Sequence, residues 1–189
     1  MCIRDRGKPQ GKQELQLIEI ARGLAERDGS LEATTHFAGA WGVGLFQRGR
    51  WKESHELLER GYKANLYSNA GFSNIRLFDL YAGFFLGKIE ENVHRVQRLF
   101  ADAEDRKDRY TTVNLGTSVA IHGWLAADNP EAARRGVEGA LAQWPRTGFH
   151  VQHWQAMVYS PDIDLYEGNA AGVYERFMEK MPKLKKRCV

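Results

Sequence analysis

The sequence predicts an all-α solenoid of antiparallel helix pairs, and three observations lead to this prediction. Breaks between apolar segments recur at Gly49, Gly87, Asp128 and Gly168, with spacings of 38, 41 and 40 residues. The segments between them place apolar residues at the three- and four-residue spacing of amphipathic helices. No segment alternates apolar and polar residues as a strand does. A period near 40 residues is typical of stacked helical hairpins, and we expect them to form a right-handed superhelix.

The expected elements are one unpaired N-terminal helix and four helix pairs. The unpaired helix covers 12–27, and the pairs are 31–48 with 51–65, 72–86 with 89–104, 110–127 with 130–143, and 149–167 with 170–181. Ser30 and Asn129 stand where helix N-caps are needed, and Pro130 suits a first helical turn.

Three segments carry further expectations. The helix over 31–48 contains several glycines, so a neighbouring helix should pack closely against its backbone. The helix over 72–86 is apolar nearly all round and should be buried. Pro161 should kink or split the helix over 149–167, and Pro182 should end the last helix.

The repeat domain is expected to span 12–182. Residues 1–11 are expected to be disordered, and Met1–Arg6 resembles a translated sequencing adapter, so we expect the native protein to extend upstream. Residues 183–189 are expected to be a truncated basic tail. With two cysteines near opposite ends and no signal-like or membrane-spanning apolar run, a cytoplasmic location is expected.

The net charge of +3 comes from the ends of the chain. Met1–Arg6 contributes +1 and Lys183–Arg187 contributes +4, so the rest carries −2. An RNA-binding helical array, one alternative for the function, predicts a basic inner face, which this charge disfavours. We therefore expect neither a nucleic acid nor a membrane as partner.

The first break, at Gly49, resembles part of a tetratricopeptide unit. Trp41, the run Gly49–Ser54, and then Leu57, Leu58 and Tyr62 match the turn glycine, the aromatic residue and the apolar pattern of such units. The spacing departs from the 34 residues of that family. The resemblance implies a tetratricopeptide-like solenoid that binds proteins or peptides.

A longer set of segments resembles a narrower family. The segments Asp108–Leu115, Trp124–Asp128 and Gly148–Trp154 are similar to the helical-repeat region C-terminal to the kinase domain of large bacterial serine/threonine protein kinases. The kinase signatures themselves are absent from the sequence. The resemblance implies a non-catalytic regulatory module of a bacterial signalling protein. The alternative is an inducer-sensing region of an ATPase-linked transcriptional activator.

One polar stripe is a candidate binding face. Thr111, Asn114, Ser118 and His122 follow one another at steps of 3, 4 and 4 residues on the helix over 110–127. They could line a groove for a peptide, or they could form a solvated face. Arg76 and Asp79 on the preceding first helix of a pair could extend this groove, or could pair with each other.

His150 and His153 could present two imidazoles to a metal, but zinc needs a third protein ligand that no spacing supplies. Ordinary polar roles near a helix start are therefore favoured. No catalytic constellation can be assembled, so we expect no enzyme activity, cofactor or metal. The expected partners are a protein or peptide, a kinase or ATPase domain of the same protein, or a second copy bound through uncapped helix ends.

Overall fold

The computed structural model describes residues 12–63, 73–145 and 147–185. These residues form helices and turns, without a strand among them, which confirms the all-α class. The helices are α1 (Lys12–Asp28), α2 (Leu31–Gln47), α3 (Trp51–Lys63), α4 (Ser73–Phe85), α5 (Ile89–Asp105), α6 (Arg109–Gly116), α7 (Ala120–Ala126), α8 (Pro130–Ala142), α9 (Val151–Tyr159), α10 (Pro161–Tyr166) and α11 (Ala170–Lys185).

The predicted breaks share one turn geometry. Gly49, Gly87, Asp128 and Gly168 all adopt left-handed backbone angles, with φ between 53° and 79°. After three of them, the next residue's N–H closes a turn onto a carbonyl five residues earlier, at 2.8 to 3.0 Å. This is the Schellman arrangement, which satisfies helix carbonyls that would otherwise lack a donor. The repeated break is therefore a repeated helix C-cap.

The helix starts also follow local signals in the sequence. The Ser30 hydroxyl accepts from the N–H of Ala33 at 3.1 Å, and the Asn129 side chain accepts from that of Ala132 at 3.0 Å. Each bond satisfies one of the backbone donors that a helix start leaves open. Both predicted caps are confirmed.

The helices divide into two compact units, one ending at Gly87 and one beginning at Lys88. In the N-terminal unit, α2 packs against α1, α3 and α4. A Cβ on Gly39 would collide with Ile75, and one on Gly42 would collide with Leu58. The glycines of α2 thus allow the close approach that the sequence predicted. The helix predicted over 72–86 is buried in part: Leu77–Ala82 is largely buried, whereas Phe85 and Leu86 are exposed.

In the C-terminal unit, α6 and α7 pack against α5, α8 and the pair α9 and α10. Its core contains Ile121, Ala133, Val137, Ala156 and Ile163. Burying a valine or isoleucine side chain of this core contributes roughly 1.5–3 kcal/mol to the stability of the fold.

The helix predicted over 110–127 is interrupted at 117–119, so the prediction of a single helix is wrong. The hydroxyl of Thr117 donates to the Val113 carbonyl at 2.8 Å, and that of Ser118 donates to the Asn114 carbonyl at 2.5 Å. The N–H of Ser118 meanwhile bonds three residues back, to Leu115. Side-chain bonds of this kind compete with the regular helical pattern and bend helices.

The two prolines behave differently. The helix predicted over 149–167 divides into α9 and α10 at Ser160 and Pro161, which confirms the predicted split. Pro182, in contrast, lies inside α11, so the prediction that it ends the helix is wrong. Because Pro182 is exposed and sits in the last turn, it removes only one backbone hydrogen bond, at a point where water can replace it.

The predicted end of the third helix at 65 and the predictions for 1–11 and 186–189 lie outside the described residues. The predicted domain over 12–182 spans both units. None of the described helices combines the length and the apolar character that crossing a membrane requires.

Candidate binding groove

The predicted polar stripe lies inside the C-terminal unit. Thr111, Asn114 and Ser118 are each at most 4% exposed. The Thr111 hydroxyl donates to the Asp108 carboxylate at 2.6 Å, and the Asn114 amide donates to the Tyr110 carbonyl at 2.8 Å. Their hydrogen bonds are thus made within the chain, so these three residues do not line an open groove.

Asn114 of this stripe and the nearby Thr117, which is not part of it, contact α9. The Gln152 amide donates to Oδ1 of Asn114 at 3.3 Å, and Oγ1 of Thr117 lies 3.2 Å from Oε1 of Gln155. All four residues are buried. Because an unsatisfied buried polar group is costly, these bonds favour one register between the two helices.

His122, the last residue of the stripe, remains partly exposed. Its Nε2 lies 3.1 Å from Oδ2 of Asp162 on α10, and its ring meets that of Tyr159 edge-on. It therefore also connects neighbouring helices.

Arg76 and Asp79 belong to the N-terminal unit, whereas the other four predicted residues belong to the C-terminal unit. Asp79 is 1% exposed, and its Oδ1 lies 2.7 Å from Nδ1 of His55 on α3. Arg76 is partly buried. Asp79 thus joins α3 to α4 instead of facing solvent.

His150 and His153 organise the start of α9. The N–H of His150 donates to Nδ1 of His153 at 3.0 Å, and Nε2 of His150 lies 2.9 Å from the Thr147 carbonyl. Burial, and secondarily the nearby His150, lowers the pKa of His153. Within the described ranges, no group of three or more His, Cys, Asp or Glu side chains is arranged to hold a metal.

An open apolar groove lies between α1 and α2 in the N-terminal unit. It consists of two adjoining hollows of about 300 Å³ and 660 Å³, which share Ala21, Phe37 and Ala40. We call it the α1–α2 groove. Its remaining lining residues are Leu17, Ile18, Leu24, Ala25, Arg27, Asp28, Ala33, Trp41, Gly44 and Arg48. Leu17 and Leu24 are 66% and 54% exposed, so the wall formed by α1 is open to solvent.

The charges of the α1–α2 groove lie at its two ends. At one end, the Arg48 guanidinium lies 5.1 Å from the ring centre of Trp41, which is a cation–π contact. At the other end, Arg27 and Asp28 carry opposite charges. Hydrogen bonds from Ser30 lower the pKa of Asp28, so this carboxylate is ionised near neutral pH. Arg48 therefore lies at one end of the groove, and the Arg27 and Asp28 side chains lie at the other.

The sequence of α1 contains a signal for this groove, but its periodicity alone does not distinguish the exposed apolar residues from the buried ones. On α1, Ile18 and Ala25 lie nearer α2, while Leu17, Ile20 and Leu24 repeat at steps of three and four and remain exposed. Two apolar stripes on one helix exceed what a single neighbouring helix can cover. Chemically, the groove can bury aliphatic or aromatic side chains, and its charged groups can orient them.

Comparison of the chain with protein-family models, with curated proteins and with solved structures gave no match.

Proposed function

We propose that this protein is a tetratricopeptide-like helical-repeat module that binds other proteins, without catalytic activity of its own. In this proposal the helix pairs form a right-handed superhelix, and binding regulates a signalling protein. A serine/threonine kinase is the parent protein we favour, because of the resemblance of the segments around Asp108, Trp124 and Gly148.

A set of interhelical bonds supports the repeat part of the proposal. Asn114 bonds Gln152, Thr117 bonds Gln155, and the Tyr166 hydroxyl donates to Asp128, each across 38 residues of sequence. This separation is close to the spacings of 38 to 41 residues between the breaks, as is expected if successive helix pairs stack on one another.

The exposed apolar α1–α2 groove is the observation that carries the binding function. An open apolar surface on a soluble helical protein commonly marks an interaction site. Large side chains such as Phe37 and Trp41 can supply much of the binding energy when a partner excludes water from them.

The proposed function can be tested by selecting binders from a random peptide library that is displayed on phage. Selected peptides are then measured by calorimetry against the wild type and the double variant Leu17→Asp/Leu24→Asp. Leu165→Asp is the matched control, because Leu165 is a similarly exposed leucine in the other unit.

We expect micromolar peptides that bind the double variant at least about tenfold more weakly, because the groove then carries charges that must be desolvated. The control should bind like the wild type, and circular dichroism should show equal helix content in all three proteins. A library that yields no binder, or binders that ignore both aspartates, would contradict a protein-binding groove here.

A further inference from the structure

Helix α9 begins with two histidines in the positions of a capping box. His150 is the N-cap residue, and His153 is the third residue of the helix. In an ordinary capping box, a Glu or Gln side chain at this third position accepts from the backbone N–H of the N-cap residue. Here Nδ1 of His153 accepts instead, at 3.0 Å from the backbone nitrogen of His150. The start of α9 therefore depends on an imidazole nitrogen that acts as a hydrogen-bond acceptor.

This hydrogen bond requires the His153 ring to be neutral. A neutral imidazole has one donor nitrogen and one acceptor nitrogen, whereas both nitrogens of the protonated ring are donors. Because Nδ1 accepts from the backbone of His150, the proton of the neutral ring lies on Nε2. Protonation of Nδ1 would place one N–H group against another and remove the bond. A Glu side chain accepts down to about pH 4.3, whereas an imidazole stops accepting near neutral pH.

The surroundings of His153 also oppose its protonation. Burial lowers the pKa of His153, and the nearby His150 lowers it further. The centres of the two rings lie 5.7 Å apart. His150 keeps its own bond when it is charged, because its Nε2 donates to the Thr147 carbonyl at 2.9 Å. A charge on His150 therefore acts against a second charge on His153.

The helices that contact α9 are α6, α8, α10 and α11. Asp162 of α10 lies against His122, and Asp164 pairs with arginines of α8 and α11. Among the described residues, the charge that acts on the pKa of His153 is that of His150. The ionisable side chains through which these four helices contact other elements are Tyr110, Arg134, Asp162, Asp164, Tyr166 and Arg176.

The first turn of α9 also carries a bond to α6. Gln152, the neighbour of His153 in sequence, is 1% exposed and donates to Oδ1 of Asn114 at 3.3 Å. A helix start that loses a capping bond frays more readily, because a backbone donor is left without its acceptor. Fraying of this turn would displace Gln152 and so weaken the contact between α9 and α6.

We propose that His153 is a proton-sensitive switch for the start of α9, whose neutral ring holds the backbone of His150 and whose protonation releases the first helical turn together with the bond from Gln152 to α6. Solvent protons can reach the ring because His153 is only partly buried. The capping bond contributes fully above about pH 6.5, where an unfolded histidine is neutral, and its contribution is lost as the pH falls below this value.

Amide hydrogen exchange of the full chain, measured by NMR at about pH 7.5 and 5.5 and corrected for intrinsic exchange rates, tests the switch. The start of α8 is the internal control, since the amide side chain of Asn129 caps it and does not titrate. Two variants separate the acceptor from the proton. His153→Gln keeps an acceptor that does not titrate, as in an ordinary capping box, and His153→Ala removes the acceptor at every pH.

In the wild type, protection of the first turn of α9 should fall about five- to tenfold from the higher to the lower pH, as expected for the loss of one cap. The side-chain amide of Gln152 should lose protection in parallel, and the start of α8 should not change. His153→Gln should keep its protection at both pH values. His153→Ala should show low protection at both.

Equal protection of the wild-type turn at the two pH values would overturn the inference. A fall in His153→Gln as large as that in the wild type would also overturn it, because the titrating group would then lie elsewhere. A Gln152 amide that stays protected while the first turn opens would contradict the coupling of the switch to α6.

Discussion

Gln152 donates a hydrogen bond from its amide to Oδ1 of Asn114, at 3.3 Å and across 38 residues of sequence. Both side chains are buried to 99%. The bond therefore connects α6 with α9, two helices that are far apart in the sequence. Asn114 also donates to the Tyr110 carbonyl, which fixes the direction of its amide.

Replacing Asn114 by alanine is expected to lower the free energy of unfolding by about 1–3 kcal/mol, because Gln152 and the Tyr110 carbonyl lose their partner in the interior. Urea unfolding measures the change. Gln143→Ala, at an exposed position after α8, should stay within about 0.5 kcal/mol of the wild type. Equal losses for the two variants would show that the bond between α6 and α9 does not determine stability.

Two glycines of α8 should respond to alanine in opposite directions. A Cβ at Gly136 would collide with the Trp124 ring, whereas nothing lies within 4 Å of one at Gly139. Gly136→Ala should destabilise by about 1–3 kcal/mol through overpacking, and Gly139→Ala should stabilise by up to about 1 kcal/mol through helix propensity. Thermal melts of both variants give the sign of the change in stability. Stabilisation by Gly136→Ala would contradict the close packing of Trp124 against this glycine.

Lys107 adopts φ of 55° in the turn between α5 and α6, where the N–H of Asp108 closes onto the Ala103 carbonyl at 2.8 Å. A side chain is strained in this region, so Lys107→Gly should raise the free energy of unfolding by about 1 kcal/mol. Lys107→Ala keeps the Cβ and should not produce this gain. Chemical denaturation of both variants checks the difference, and a similar gain from alanine would argue against backbone strain at this turn.

The stability of the protein should decrease as the pH falls below about 6.5, in part through His153. Burial and the neighbouring His150 lower its pKa in the folded state, while an unfolded histidine titrates near about 6.5. The unfolded state therefore binds the proton first, and the stability present above that pH is lost as the pH falls. His153→Gln should reduce the loss of stability between about pH 7.5 and 5, as measured by urea unfolding at a series of pH values. An unchanged pH dependence in His153→Gln would contradict the lowered pKa.

Much of the secondary structure could be predicted because its causes are local. Gly49 and Gly168 allow left-handed turns, Asn129 caps a helix beside Pro130, and Pro161 divides one. Each effect depends on a residue and its near neighbours. The interruption at Thr117 was missed because a hydroxyl bond to a carbonyl four residues back leaves no periodic signal.

The candidate site could not be predicted in the same way. The spacing of Thr111, Asn114 and Ser118 predicted a shared face, but it could not predict that all three would be buried. For Asn114, the buried partner is Gln152 on α9, far away in the sequence. On α1, the helical spacing of Leu17 and Leu24 likewise does not distinguish these exposed residues from core residues.

The sequence by itself therefore determined the helical class, the repeated turns and the helix caps, since backbone angles and capping bonds act within a few residues. Tertiary structure decided which polar residues join the helices and which apolar residues remain open. Burial is a property of pairs of segments far apart in the chain, and the periodicity of one helix carries no information about the surface it meets.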